Sequence, residues 1–126
     1  MRYLIDTNLW LYAASNVKEA VLFFDNAVKA EWAGYSAITR LEVFGFPTIK
    51  HDDERKLAEM LGCFEEVEVG TEVINRAIAI RRERRVRVPD SIIAGTALVM
   101  NATLATRNID DFKGIRGLSV LNPFVK

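Results

Sequence analysis

The chain has 126 residues, half of them hydrophobic and 27% charged, which suits one domain with a buried core and is short for two. Its 17 basic and 17 acidic residues cancel, so nucleic-acid binding through overall positive charge is excluded and any such binding requires a local patch. Cys63 and His51 are the only residues of their types, which excludes an internal disulfide and the usual Cys/His zinc site.

The chain carries no targeting or membrane signal. Its first residues lack the apolar core and cleavage pattern of a signal peptide, and no run approaches the roughly 18 apolar residues of a membrane span. We therefore expect one cytoplasmic domain over residues 1–126, without contact to a membrane.

Short apolar runs alternate with amphipathic segments along the chain. In chain order, strands are predicted at residues 2–5, 34–37, 65–69, 103–106 and 118–121. Helices are predicted at 17–32, from Thr39 to Gly45, from 53 to 64, from Thr71 to a stop at Pro89, and at 91–100. This alternation predicts an α/β fold, a mainly parallel sheet of about five short strands with helices on both faces and 65–69 at an edge.

Four acidic residues stand near the ends of apolar runs: Asp6, Glu42, Asp90 and Asp111. Taken singly, three of them suit helix caps or turns and Glu42 suits a solvated helix face. Ligands of open α/β sheets, however, bind where parallel strands end. Carboxylates gathered there would repel one another and require a cation, and all-oxygen ligands suit Mg²⁺ or Mn²⁺. Such an ion can ionise a water and stabilise charge on a phosphodiester.

Five segments, in this order, resemble a known family over almost the whole chain. They are LIDTN at 4–8, ITRLEVFG at 38–45, PDSIIAGTA at 89–97, LATRNIDDF at 104–112 and VLNPF at 120–124. The chain resembles a PIN domain, specifically the VapC-type toxin nucleases of prokaryotic toxin–antitoxin pairs. The resemblance implies a Mg²⁺- or Mn²⁺-dependent endoribonuclease that leaves a 5′-phosphate and a 3′-hydroxyl.

The resemblance also assigns roles to residues. It implies that Asp6, Glu42, Asp90 and Asp111 are the catalytic acids and metal ligands, for one or two ions. Asp110 is an alternative fourth acid, and we choose Asp111 because it directly precedes Phe112. Three neighbours are expected to hold the carboxylates through hydrogen bonds: Thr7, Asn8 and Thr106.

The only histidine bears on the mechanism. Metal-free cleavage of RNA through the 2′-hydroxyl commonly uses histidine as acid or base. His51 stands in the polar stretch His51-Asp52-Asp53-Glu54, and we expect it on the surface without a partner. A metal-dependent mechanism is therefore the better prediction.

Basic and aromatic segments suggest partners. Five arginines between Arg81 and Arg87 could bind phosphate or could be a solvated helix end, and Arg40 and Arg107 are better placed for RNA. The bulky stretches 9–12 and 44–46 could be core, a groove for an antitoxin or a dimer surface. The resemblance implies a VapB-type antitoxin whose tail blocks the acidic site, and a homodimer.

Other functions remain open. Within the nucleases, the alternative is a housekeeping PIN enzyme of RNA processing without an antitoxin. A non-catalytic RNA-binding or scaffold PIN domain is disfavoured because all four acids are present. A phosphatase that uses two aspartates after its first strand is disfavoured because Asp6-Thr7-Asn8 lacks the second aspartate.

Overall fold

Five strands and seven helices alternate along residues 1–125, which the computed structural model describes. Lys126, the last residue of the domain expected over 1–126, lies outside the described residues. The strands are β1 (Arg2–Ile5), β2 (Trp32–Ser36), β3 (Glu65–Val67), β4 (Thr103–Ala105) and β5 (Val120–Leu121). The helices are α1 (Thr7–Ala14), α2 (Lys18–Ala27), α3 (Ala37–Phe44), α4 (His51–Leu61), α5 (Thr71–Glu83), α6 (Val88–Val99) and α7 (Ile109–Phe112).

All five strands form one parallel sheet in the order β3-β2-β1-β4-β5. The α/β class and the five strands predicted from the sequence are thus confirmed, and the sheet is wholly parallel. β3 lies at one edge, as predicted. β1 lies at the centre of the sheet. The residue that follows β1 therefore lies in the middle of the carboxyl end of the sheet, where all five parallel strands end.

Helices cover both faces of the sheet. Neighbouring residues of the central strands therefore pack into different cores. Side chains of a strand alternate between faces. Leu4 packs into a core formed mainly with α5 and α6, whereas Ile5 packs into a core formed mainly with α1, α2 and α4. Both side chains are fully buried. Among residues 1–125, no helix has the length and apolar character needed to cross a membrane.

Four local features differ from the sequence-based expectations. Residues 7–14 form helix α1, which was not predicted, and Trp32 begins β2 instead of ending a helix. Ser36, not Thr39, caps α3, since the Ser36 hydroxyl accepts the Ile38 amide at 3.2 Å. Pro89 lies at the start of α6, where the first helical turn needs no donor from that residue.

Candidate active site

Asp6 joins the central strand to α1 and is almost fully buried. Its backbone amide donates to the Ala105 carbonyl at 2.9 Å, which extends the pairing of β1 with β4 by one residue. One carboxylate oxygen, Oδ1, accepts the Thr7 amide at 2.9 Å and thereby caps α1. The other, Oδ2, accepts the Thr106 hydroxyl at 2.6 Å. Both carboxylate oxygens are therefore held in position by hydrogen bonds. Only 5% of the residue is exposed.

The burial of Asp6 makes its negative charge unfavourable. Loss of hydration raises the pKa of this carboxyl from 3.8 to about 6, against the opposing effect of the hydrogen bonds from Thr106 and Thr7. The charges of Asp90 and Glu42 raise the pKa further. Asp6 thus lies within electrostatic reach of two of the other predicted acids, and a cation beside it would relieve both the cost of burial and the repulsion.

Glu42 is held by a chain of two threonines. The Thr7 hydroxyl donates to Glu42 Oε1 at 2.6 Å, so its own oxygen accepts from the Thr39 hydroxyl, which lies 3.0 Å away. Thr39 is completely buried, and Glu42 is half-buried on the same helix, α3. Thr7 therefore connects the end of β1 to α3, because Asp6 and Glu42 bind the amide and the hydroxyl of this one residue.

Asp90 lies in the first turn of α6 and is paired with Arg87. Arg87 Nε donates to Asp90 Oδ2 at 3.1 Å, and Arg87 Nη2 lies 3.5 Å from Oδ1. Asp90 is only 8% exposed, whereas the guanidinium faces solvent. The hydrogen bond and charge of Asp90 raise the pKa of Arg87, and the charges of Asp111 and Glu42 contribute to the same shift.

Asp111 lies on the short helix α7 and is exposed, as is its neighbour Asp110. The charge of Asp111 contributes to the raised pKa of Arg87. Asp111 therefore lies within electrostatic reach of Arg87, which pairs with Asp90 at the acidic edge, the carboxyl end of the sheet where Asp6, Glu42 and Asp90 lie. The choice of Asp111 over Asp110 as the fourth acid stays a prediction.

The acids do not form a closed metal site as they stand. Among residues 1–125, no three histidine, cysteine, aspartate or glutamate side chains are grouped tightly enough to hold an ion. Three of the carboxylates have hydrogen-bond partners in this arrangement, since Asp90 binds Arg87, Glu42 binds Thr7, and Asp6 binds Thr7 and Thr106. The set still fits a hard divalent ion, because all its donors are oxygens and Asp6 is buried beside two other acids.

The expected supporting residues have different outcomes. Thr7 and Thr106 donate to the predicted carboxylates, whereas the Asn8 side chain forms no hydrogen bond within residues 1–125. Sequence reasoning missed Thr39 and the pairing of Arg87 with Asp90. Their signals are the three-residue spacings from Thr39 to Glu42 and from Arg87 to Asp90, which place each pair on one helical face.

Most of the arginines expected near RNA already have partners. Arg40 forms an ion pair with Glu66 at 2.6 Å. Arg81 donates to the Val86 carbonyl and Arg84 to the Gly114 carbonyl. Helix α5 ends at Glu83, so Arg84, Arg85 and Arg87 lie beyond it and the arginine run does not form one helical face.

The aromatic stretches divide between core and surface. Trp10 is fully buried against Phe24, Tyr35 and Phe64, whereas 52% of Phe46 is exposed. His51 is exposed as expected.

Comparison with known proteins assigns this architecture to a family. The PIN-domain model matches residues 3–118. The chain belongs to the PIN-domain family. Comparison with curated protein sequences gives no match.

Solved structures share this PIN fold over nearly their full length. A toxin–antitoxin complex from Klebsiella pneumoniae contains a chain that is 30% identical, with a TM-score of 0.82 and coverage of 96% of this chain and 97% of the other. VapBC2 from Rickettsia felis, bound to a DNA fragment from its promoter, gives 26% identity and a TM-score of 0.85, with coverage of 97% and 98%. DNA-bound VapBC from Salmonella typhimurium, at 22% identity, a TM-score of 0.82 and 98% coverage of both chains, shares the fold.

Proposed function

We propose that this PIN domain is a metal-dependent endoribonuclease and the toxin of a VapBC-type toxin–antitoxin pair. The observation that carries the proposal is the buried Asp6 at the end of the central strand, within electrostatic reach of Glu42 and Asp90. The membership of the PIN family and the similarity to chains of toxin–antitoxin complexes support it.

Asp6, Glu42, Asp90 and Asp111 would hold Mg²⁺ or Mn²⁺. When bound there, the ion supplies positive charge that stabilises a phosphodiester during hydrolysis and lowers the pKa of water. Asp6 is the best-prepared ligand, because Thr7 and Thr106 fix its two oxygens. Each carboxylate oxygen that accepts one hydrogen bond retains a lone pair for an ion.

The remaining contacts orient the site. The Thr39 hydroxyl fixes that of Thr7, which directs Glu42 towards the end of β1. Arg87 neutralises Asp90 while no ion is bound and lies on the solvent side of that carboxylate. Arg87 would compete with a bound ion for Asp90, and its guanidinium, if released from that carboxylate, would be available to an RNA phosphate.

A VapB-type antitoxin is the proposed partner, in a cytoplasmic complex, and we also propose a homodimer. The support comes from the similarity to chains of two solved complexes, the toxin–antitoxin complex from Klebsiella pneumoniae and VapBC2 from Rickettsia felis. A positively charged antitoxin segment would complement the acidic edge. Expression with the product of a small adjacent gene, followed by co-purification, tests the pairing and separates a toxin from a housekeeping PIN nuclease.

Cleavage of RNA by the purified protein tests the activity. We expect single-stranded RNA to be cut with Mn²⁺ and to remain intact with EDTA, and we expect Asp6→Asn and Asp90→Asn to abolish the cleavage. The matched control is Lys29→Gln, because Lys29 is exposed and precedes β2 at the amino end of the sheet, opposite the acids. Undiminished cleavage in EDTA, or full activity of both aspartate variants, would reject the proposal.

A further inference from the structure

Arg107 is clamped by two aromatic rings beside the acidic edge. Its guanidinium carbon lies 4.1 Å from the centre of the Phe124 ring and 5.0 Å from that of Tyr12. The two rings contact each other edge to face, with their centres 5.4 Å apart. A guanidinium stacked in this way keeps its orientation, because cation–π attraction and ring packing restrict a side chain that would otherwise be flexible.

In the part of the chain that the structure describes, Arg107 differs from Arg40 and Arg87 because its guanidinium has no hydrogen-bond partner. Within residues 1–125, its guanidinium forms no hydrogen bond and no salt bridge. Arg40 and Arg87, by contrast, each bind a carboxylate. Arg107 is exposed, so it combines a fixed charge with five N–H donors that meet no acceptor among residues 1–125.

The clamp, formed by Arg107, Tyr12 and Phe124, lies at the same carboxyl end of the sheet as Asp6. Thr106, the neighbour of Arg107 in the chain, donates to the Asp6 carboxylate at 2.6 Å. Tyr12 lies on α1, which begins immediately after Asp6, and Phe124 follows the end of β5. All three members of the clamp therefore come from segments that leave the carboxyl ends of adjacent strands, β1, β4 and β5.

We propose that Arg107, held by Tyr12 and Phe124, is the phosphate-binding residue that positions single-stranded RNA across the acidic edge. The inference rests on the proposed ribonuclease function and adds a substrate contact to it. A guanidinium presents paired donors that match two oxygens of one phosphate. The acidic edge itself repels RNA, so a fixed positive charge beside it offsets that repulsion where the backbone must approach.

The test is the binding of a fluorescently labelled twelve-nucleotide uridine RNA, measured by anisotropy in EDTA at several salt concentrations. We expect Arg107→Gln to weaken binding about 3- to 10-fold and to lower the slope of log Kd against log salt by about 0.7, the loss of one phosphate contact on a single strand. Arg107→Lys retains the charge but not the planar fork, so it should keep the slope and lose about 2- to 3-fold in affinity.

Two ring variants separate the clamp from charge alone. Tyr12→Leu and Phe124→Leu leave Arg107 in place but remove its aromatic support, and each should weaken binding about 2- to 5-fold at an unchanged salt slope. Lys29→Gln, at the amino end of the sheet, should change neither quantity. Circular dichroism verifies that each variant is folded.

The outcomes decide the proposal separately from the ribonuclease function. If Arg107→Gln binds the RNA with the wild-type affinity and slope, or if Lys29→Gln weakens binding equally, Arg107 is not the phosphate contact. Wild-type protein that fails to bind this RNA also overturns the proposal. RNA binding that depends on Arg107, without any cleavage in Mn²⁺, would keep this inference and reject the nuclease.

Discussion

Replacement of Asp6 by asparagine should stabilise the metal-free protein, although it removes a residue that caps a helix. Asparagine is also a good N-cap, and its oxygen can accept the Thr7 amide as Asp6 does. Its amide group can donate to the Thr106 hydroxyl, which now donates to Asp6. The substitution therefore keeps the local hydrogen bonds and removes only the buried charge.

The expected gain follows from the pKa of Asp6. In the folded protein this pKa rises from 3.8 to about 6, and each pKa unit corresponds to about 1.4 kcal/mol. Ionisation of Asp6 therefore costs the native state about 3 kcal/mol. A raised carboxyl pKa contributes stability that is fully present below pH 4 and is lost as the pH rises to about 6.

Urea unfolding in EDTA between pH 4 and pH 8 measures this cost. The free energy of unfolding of Asp6→Asn minus that of the wild type should increase by about 2.4 kcal/mol from pH 4 to pH 7, because part of the full cost is already present at pH 4. Asp25→Asn, which removes a charge from an exposed position on α2, is the control for lost negative charge. A difference that stays constant over this range would refute the reasoning about burial.

Added Mn²⁺ should reverse the order of the two proteins. A ligand that binds only the native state stabilises it by about 4.1 kcal/mol at roughly one thousand times its Kd, which exceeds the cost of about 3 kcal/mol that ionised Asp6 imposes. The wild type should gain this stability at pH 7.5, and Asp6→Asn should gain little because its first proposed ligand is gone. An equal gain in both proteins would place the ion elsewhere.

Three further substitutions test other parts of the structure. Arg87→Gln should tighten Mn²⁺ binding by a few-fold in calorimetry, because it removes the cation that competes for Asp90; weaker binding would show that Arg87 supports the site instead. Glu42→Gln should keep the fold and lower RNA cleavage in Mn²⁺ about 10- to 100-fold, which single-turnover rates would measure. Gly95→Ala should cost about 1–3 kcal/mol in urea unfolding, because its new Cβ would lie 3.0 Å from a backbone oxygen of α5. Gly70→Ala, with no atom within 4 Å of the new Cβ, is its control, and equal losses would contradict the packing argument.

The sequence predicts the central strands β1, β2 and β4 well because strands buried on both faces form short apolar runs, whatever their partners. It does not predict α1, since Leu9, Trp10, Leu11 and Tyr12 form one continuous bulky run without a polar face. Structure explains this run: Leu9 and Trp10 are fully buried, while Tyr12 is half-exposed and packs on Arg107. Periodicity cannot separate a helix that uses several faces from a strand.

The acids could be located from the sequence, but their partners could not. Spacing places Arg87 one helical turn before Asp90, yet the choice between a bond to that carboxylate and a bond to solvent depends on the burial of Asp90. Arg107 packs on Tyr12, about 95 positions before it, and on Phe124, about 17 positions after it. These residues meet only because β1, β4 and β5 are neighbours in the sheet. Such contacts follow from topology, which local pattern does not specify.

The location of Asp6 favours a functional role over simple capping. A serine or asparagine would cap α1 equally well without a buried charge, whereas Asp6 is 5% exposed and has a pKa of about 6. Asp6 caps α1 as a serine or asparagine could, but it adds the cost of a buried negative charge. A helix cap that carries such an avoidable cost indicates that the position meets a second requirement. A carboxylate differs from those caps in its negative charge, so the requirement is one for charge. At an edge where Glu42 and Asp90 add to the repulsion, a divalent cation meets that requirement, and its binding would convert the cost of Asp6 into affinity.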